Sequence, residues 1–487
     1  MSSRRLFIGT AIVALLSAPA QADTLREALV AAYQTNPTLS GARAAQRAID
    51  ENVAIAKADG RPSATSDFGF QENFLRSANS FTAPLRQSTA GGSIDVPIYS
   101  GGAVKNAIRA ARTRVEAGQL DLRATEASIF SNVVATYMDV IRDSAIVRLN
   151  RANVGVLSVN LEATGDRFEI GDLTRTDVAQ SESRLEIAKS DLETVRASLI
   201  RSKENYIALV GHEPGDLEPP PPLPNMPETP DQAVDLALTY NPDLLAAKQR
   251  SDAAEFDIKT ARAGNKPRVS TYAQGRYLNY HGTLGGSVAG TTFIQEQSTA
   301  EVGIRATLPI YQGGRPAAQI RQAQARSGQA YEQIIAVERD VISQTRASYS
   351  SWRASERVIQ SSERAVAAAN LSLEGVRAEN SVGNRTILDI LNAEQELLNA
   401  QVQLVTARRN SYVAGFSLLA AMGRAEARDL GLEGGPLYDP DVNYDRVDDM
   451  FYDYQSDPNP EPQATRTVDT QAQKAEIEPL PVIPTRQ

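Results

Sequence analysis

Few side chains in this 487-residue chain could do chemistry, and their spacing argues against catalysis. The chain has no cysteine and two histidines, His212 and His281, neither of which has a second histidine or a cysteine at metal-ligand spacing. Its carboxylates are spread along solvated helix faces, and no glycine-rich loop joins a buried strand to a helix as a phosphate site would require. The sequence therefore predicts no enzyme, metal site or cofactor.

Two aspartates, Asp177 and Asp389, occupy equivalent positions in two similar segments, each six residues after a glycine, Gly171 or Gly383. Both lie in the first turn of a predicted helix, where the positive end of the helix dipole favours a carboxylate. They could simply stabilise the helix starts. In a symmetric tube they would also recur as rings around a narrow end, where carboxylates favour cations and repel anions. The residues alone leave both interpretations open.

These aspartates belong to a duplication that covers most of the chain. The stretch Val96–Gly102 returns 212 residues later as Leu308–Gly314, with a shared Pro-Ile-Tyr-x-Gly-Gly pattern. The dipeptide at 36–37, Asn-Pro, returns 205 residues later at 241–242, so an insertion of seven residues separates these anchors in the second copy. The constant offsets predict two tandem structural repeats.

Composition sets the boundaries that we predict. Residues 1–22 have a basic start, a short apolar run and an Ala-Gln-Ala end, which is the pattern of a secretory signal peptide. The first repeat covers 23–218 and the second 229–433, joined by a proline-rich linker at 219–228. Residues 434–487 form an acidic, proline-rich tail with the composition of a disordered segment.

Net charge and composition exclude some partners. A net charge of -9 without a basic cluster argues against nucleic-acid binding, because phosphate contacts need concentrated lysine and arginine. Beyond the signal we find no run of about 18 apolar residues, so a membrane-spanning helix is not predicted. Aromatic residues make up only 6% of the chain, which suits long helices packed through narrow seams better than one large core.

Each repeat is predicted to contain a broken helix, two strands and a helical hairpin. Residues 103–168 and 317–382 contain no proline, and a helix of that length would extend about 100 Å. Both long helices end at a turn, Gly171–Thr174 or Gly383–Thr386, in which glycine fits the left-handed position and threonine caps the next helix. The returning helices then run antiparallel to the long ones.

Four strands are predicted, at about 65–75, 89–96, 269–280 and 299–308. In the last of them Val302 and Ile304 alternate with Glu301 and Arg305, so one face is apolar and the other charged. Four strands cannot close a barrel, whereas three chains would supply twelve. The sequence thus predicts a mainly α protein whose homotrimer forms a 12-stranded transmembrane β-barrel continued by a long α-helical coiled-coil barrel.

From residue 24 to 425 the sequence resembles the TolC-like outer-membrane efflux channels. The marks are the repeated Asn-Pro elements, the two Pro-Ile-Tyr-x-Gly-Gly joints and, above all, the stretch 382–394, VGNRTILDILNAE. The resemblance implies a passive homotrimeric channel-tunnel in the outer membrane with a periplasmic extension. Its implied partners are outer-membrane lipid, a periplasmic adaptor (membrane fusion) protein and an inner-membrane RND or ABC pump. Its cargo would be drugs, a protein exported by type I secretion, or both.

The resemblance also implies a periplasmic gate, closed in the family by an Asp-Arg pair between neighbouring helical hairpins. Asp177 and Arg385 match that pair, Thr176 matches a gate hydroxyl, and Asp389 adds to the acidic ring. The chain departs from the family's pattern at Asn392, where a second aspartate is usual, and at Asn380, where a tyrosine is usual. Adaptor docking is expected at the helical tips, at Gly171, Asp172, Leu173, Thr174, Gly383, Asn384 and Thr386.

One alternative stays open at this stage, an elongated coiled-coil surface adhesin or stalk without a pore. Such a protein would need neither duplicated strand pairs nor amphipathic strands. A liposome-swelling assay would separate it from a channel.

Overall fold

The computed structural model describes residues 24–75, 82–285, 292–432 and 437–476. The predicted signal peptide lies outside the described residues, as do parts of both predicted strand-to-strand loops and of the tail. The predicted domain boundaries stay predictions. The order of elements in the first repeat recurs in the second.

The first repeat consists of α1 (Leu25–Thr35), α2 (Pro37–Ala58), β1 (Ser63–Glu72), β2 (Arg86–Tyr99), α3 (Ala103–Glu169) and α4 (Arg175–Val210). The second consists of α5 (Pro230–Tyr240), α6 (Pro242–Arg262), β3 (Arg268–Asn279), β4 (Glu296–Thr307), α7 (Arg315–Ser381) and α8 (Ile387–Ala421). A short helix, α9 (Pro440–Asp448), follows in the tail. The two repeats therefore match element for element, as the duplication predicts.

The Asn-Pro dipeptides break the first helix of each repeat in the same way. The side-chain oxygen of Asn36 accepts hydrogen bonds from the N–H groups of the first turn of α2, and its amide donates to the carbonyl of Leu209 at 3.0 Å. Asn241 caps α6, and its amide donates to Ala421 at 3.0 Å. Each asparagine thus caps one helix and ties it to the end of the returning helix.

The helices α3 and α7 each have 67 residues, about 100 Å at the usual rise per residue. They pack along α4 and α8, respectively. The largest apolar core lies around the middle of α3, where Phe130, Tyr137, Tyr206 and Phe416 are fully or almost fully buried. Among the described residues, no helix combines the length and apolar character that crossing a membrane requires.

The strands form one antiparallel sheet in the order β1-β2-β3-β4. Residues in register across all four strands form rows, and neighbouring rows face opposite sides of the sheet. One row is apolar and contains Ala64, Ile94, Ala273 and Val302. The adjacent row is polar and contains Thr65, Ser93, Gln274 and Glu301. The alternation predicted for β4 therefore extends through the whole sheet.

Within the described part of the tail one segment forms a packed helix, α9, although the composition of 434–487 predicts disorder. The side chain of Asp439 caps α9 and Pro440 occupies its first turn. The helix packs on α2, with Val447 fully buried, and Asn443 donates to Asp50 at 2.7 Å. At the end of α9 the carboxylate of Asp448 lies 2.8 Å from Lys57. The tail helix is therefore held on α2 by an apolar contact, a hydrogen bond and an ion pair, which offset repulsion among its acidic side chains.

We expect Val447→Asp to release α9, because it places a carboxylate in a fully buried position. Limited trypsin digestion of the detergent-solubilised protein should then cut at Arg446 or Lys474 at least about tenfold faster. Val442→Asp is the matched control, since Val442 lies on the same helix but is 67% exposed. Equal digestion rates for the two variants would contradict the packing described here.

Candidate functional site

The two turns at the far ends of the long helices share one geometry. Gly171 and Gly383 have φ values of 80° and 82°, which glycine adopts without steric cost. The N–H of Asp172 donates to the carbonyl of Arg167, and the N–H of Asn384 donates to that of Glu379, both at 2.9 Å. The predicted tip residues therefore form two turns of the same geometry.

Both returning helices start with the same capping box. The hydroxyl of Thr174 accepts from the N–H of Asp177, whose carboxylate accepts from the N–H of Thr174 at 2.9 Å. Thr386 and Asp389 make the same reciprocal pair. Hydrogen bonds from Thr174 lower the pKa of Asp177, and those from Thr386 lower the pKa of Asp389. Both carboxylates are therefore ionised at neutral pH, as helix caps and as fixed negative charges.

Arg385 lies between the two helices of its hairpin and pairs with acidic groups there. Its Nε donates to Glu379 at 2.7 Å, and its Nη1 lies 3.9 Å from Asp389. The hydrogen bond from Arg385 to Glu379 is the main cause that raises the pKa of this arginine. Asn380 donates to the carbonyl of Arg385 at 2.7 Å, so this predicted gate residue supports the turn.

Asn392 joins the two returning helices. Its side-chain oxygen accepts a hydrogen bond from Arg184 Nη2 at 2.8 Å, which links α8 to α4. Asp177 precedes Arg184 by seven residues, and Arg385 precedes Asn392 by seven. Seven residues are about two helical turns, so Asp177 lies on the same face of α4 as Arg184, whereas Arg385 lies in the turn before α8 begins. Thr176 is exposed one residue before Asp177.

A buried carboxylate forms a second link between the hairpins. Glu394 is 6% exposed, and its two oxygens accept from Asn160 Nδ2 at 3.0 Å. Arg377 Nη2 also donates to Glu394 at 3.0 Å. The carboxylate of Glu394 therefore connects α3, α7 and α8. Its counterpart in the first repeat, Glu182, is exposed.

We expect Glu394→Ala to loosen the first turns of α8, because it leaves Asn160 without its acceptor at a cost of about 1–3 kcal/mol. Amide exchange at Ile390 and Leu391, measured by mass spectrometry, should become about tenfold faster or more. Glu182→Ala is the control at the equivalent, exposed position and should leave exchange unchanged. If both variants exchange like the wild type, the buried link does not stabilise the tip.

Glu379, Arg184 and Glu394 are not among the predicted site residues. One signal for Glu379 was available, since oppositely charged residues bracket both glycine turns: Arg167 pairs with Asp172 at 2.9 Å in the first repeat, and Glu379 with Arg385 in the second. No group of three or more histidine, aspartate or glutamate side chains placed to hold a metal ion is found among the described residues, and the absence of a metal site stays a prediction.

In this chain an amphipathic sheet leads through Gly-Gly joints into two helices of about 100 Å, α3 and α7, each packed along a shorter returning helix. This combination defines a class, the subunits of outer-membrane channel-tunnels. The profile of the outer membrane efflux protein family matches residues 28–212 and 233–424. The chain belongs to this family. Membership assigns it to efflux at the outer membrane and not to catalysis.

Individual proteins agree with this assignment. The outer membrane efflux protein BepC of Brucella suis is 34% identical over 433 residues, 89% of this chain and 92% of BepC. The outer membrane protein TolC of Escherichia coli is 28% identical over 62% of this chain and 63% of TolC. The crystal structure of the outer membrane protein VceC of Vibrio cholerae superposes with a TM-score of 0.69 at 23% identity, covering 82% of this chain and 96% of VceC. None of these similarities supports a pore-less adhesin or stalk.

Proposed function

We propose that three copies of the chain close one pore, in which β4 of each copy pairs with β1 of the next. The observation that carries this is the sheet itself: it has four strands with β1 and β4 at its edges, one apolar face and one polar face. Exposed edges template further pairing, and twelve strands enclose a lumen wide enough for solutes. The apolar rows would face lipid and the polar rows water.

The helical layer supports the same assembly. In this layer α2 packs on α3, α3 on α6 and α6 on α7. The helix α7 therefore lies at one side of the layer, just as β4 lies at one edge of the sheet. Apolar side chains of α7 are exposed in the single chain, including Val358 at 50% and Leu371 at 69%. Covering them with a neighbouring copy would bury apolar area that a lone chain leaves in water.

The channel would act as a passive conduit from the periplasm to the cell exterior. The sequence has no nucleotide-binding motif, so an inner-membrane RND or ABC pump would supply the energy and a periplasmic adaptor would dock on the two turns. The cargo, small molecules or a protein in type I secretion, stays a prediction. Crosslinking from single cysteines placed at Leu173 and Asn384 would identify the adaptor and pump, because the natural chain contains no cysteine.

The gate would lie where α4 and α8 converge. Arg184 and Asn392 already meet between these helices at 2.8 Å. Asp177 is the next charged residue on that face of α4 toward the tip, and Arg385 lies in the turn that precedes α8. Attraction between them would draw the hairpins together. Because Asn392 is uncharged, the acidic ring at this level would consist of Asp177 and Asp389.

Channel recording and a mass measurement test the proposed trimer. Purified protein added to planar lipid bilayers should form channels of uniform conductance, and its mass in detergent should equal three chains. Each chain has a mass of 52.5 kDa before any processing. A monomer without channel activity would refute the proposal.

A further inference from the structure

A groove of about 610 Å³ lies where β2 joins α3. Its lining combines apolar side chains, Ile98, Tyr99, Val104 and Ile108, with three cations, Lys105, Arg109 and Arg112. The cations are spaced by four and three residues, so they share one face of α3. A groove lined by both apolar side chains and cations has the chemistry to bind an amphipathic anion.

The three cations lie on the face of α3 that is turned away from the polar side of the sheet. Ala103 and Ala107, on the opposite face of α3, line a second groove together with polar-side residues of the strands, Asp95, Ser270 and Arg305. Ile98, which lines the first groove, is 61% exposed. The cations therefore point away from the lumen that we propose above.

Two of the three cations are free to bind a ligand. Among the described residues, neither Lys105 nor Arg109 has a carboxylate oxygen within 4.0 Å. Arg109 lies 5.9 Å from the ring centre of Phe256, which leaves its guanidinium edge open. Arg112 is partly engaged by Asp448, at 3.7 Å.

The level of the groove fits the edge of a membrane. α3 begins at Ala103, so Lys105 and Arg109 lie about 3 and 9 Å below the joint to the strand. The polar layer on each side of a bilayer core is roughly 5–8 Å thick, so these two side chains reach headgroups when the strands span the core.

The cluster is confined to the first repeat. The residues 212 positions later than Lys105, Arg109 and Arg112 are Ala317, Arg321 and Gln324. The duplication alone therefore does not explain the three cations.

We infer that this groove binds an anionic phospholipid of the periplasmic leaflet. Lys105 and Arg109 hold its phosphate, and one acyl chain lies along Ile98 and Tyr99. The inference rests on the proposed membrane orientation of the strands. Bound lipid would fix the height of the channel in the membrane.

The test is lipid selectivity measured by electron spin resonance. The protein is reconstituted into phosphatidylcholine vesicles that contain a trace of spin-labelled phosphatidylglycerol or spin-labelled phosphatidylcholine. The wild type should prefer phosphatidylglycerol by about fivefold or more at the immobilised sites, and added salt should weaken the preference. Lys105→Gln/Arg109→Gln should reduce the preference below about twofold, whereas Lys105→Arg/Arg109→Lys should retain it.

The control removes two cations elsewhere on the tube. Lys189→Gln/Arg196→Gln changes the net charge equally, at positions paired with Glu186 and Glu193 on α4, and should keep the wild-type preference. No preference in the wild type, or an unchanged preference in Lys105→Gln/Arg109→Gln, would overturn the inference. Channel formation by the same samples in planar bilayers tests the proposed function separately, since a channel can conduct without selecting lipid.

Discussion

Replacing Arg385 with glutamate is expected to raise single-channel conductance about threefold or more in planar bilayers. In the structure the arginine neutralises Glu379 at 2.7 Å and lies 3.9 Å from Asp389. A carboxylate at this position would face both acids and, across the proposed gate, Asp177. Because like charges repel, the tips of the hairpins should separate and the entrance should widen.

The first repeat provides a matched control for this variant. Arg167→Glu introduces the same charge change at the equivalent turn, where Arg167 pairs with Asp172 at 2.9 Å and no gate role is assigned. We expect its conductance to stay near that of the wild type. Arg385→Lys should also remain closed, because it keeps the positive charge. Equal currents through Arg385→Glu and the wild type would contradict the gate, and equal increases in Arg385→Glu and Arg167→Glu would indicate a general charge effect.

Much of the architecture follows from local rules that the sequence displays directly. The proline-free stretches predict α3 and α7, and the prolines after Asn36 and Asn241 predict the helix breaks. The strands are found within a few residues of their predicted positions. Apolar and polar residues alternate only weakly in β1, but all ten of its residues pair with β2, which holds the strand in the sheet. Periodicity is a local property, so it predicts elements even when it cannot predict their partners.

Contacts between distant segments were not predictable in this way. Glu394 and Glu182 are equivalent in the repeat, yet one is buried and the other exposed, because only Glu394 meets Asn160 across the hairpins. The tail has the composition of a disordered segment, but the carboxylate of Asp448 pairs with Lys57 and Arg112, which lie about 340–390 residues earlier in the sequence. In both cases the decisive partner lies outside the window that composition or periodicity examines. The link from Asp177 to Arg385 is of the same kind and stays a prediction.

Introducing an arginine on the apolar side of the sheet is expected to prevent insertion. Ile94 is 49% exposed in the single chain and lies in the apolar row with Ala64, Ala273 and Val302. In a barrel this row faces lipid, where an arginine costs up to about 2–4 kcal/mol, and a trimer would contain three of them. Refolding Ile94→Arg into phosphatidylcholine vesicles should yield at least about tenfold fewer protease-protected channels than the wild type.

The adjacent residue supplies the control that separates the two faces. Ser93→Arg adds the same side chain one position away, in the polar row beside Gln274, which itself donates a hydrogen bond to Glu301. A lumen-facing arginine remains hydrated and lies near a carboxylate, so this variant should insert like the wild type and shift ion selectivity toward anions. Comparable insertion of both variants would mean that Ile94 does not meet lipid. Since adjacent residues differ only in the side of the sheet they face, opposite outcomes would show which side the membrane covers.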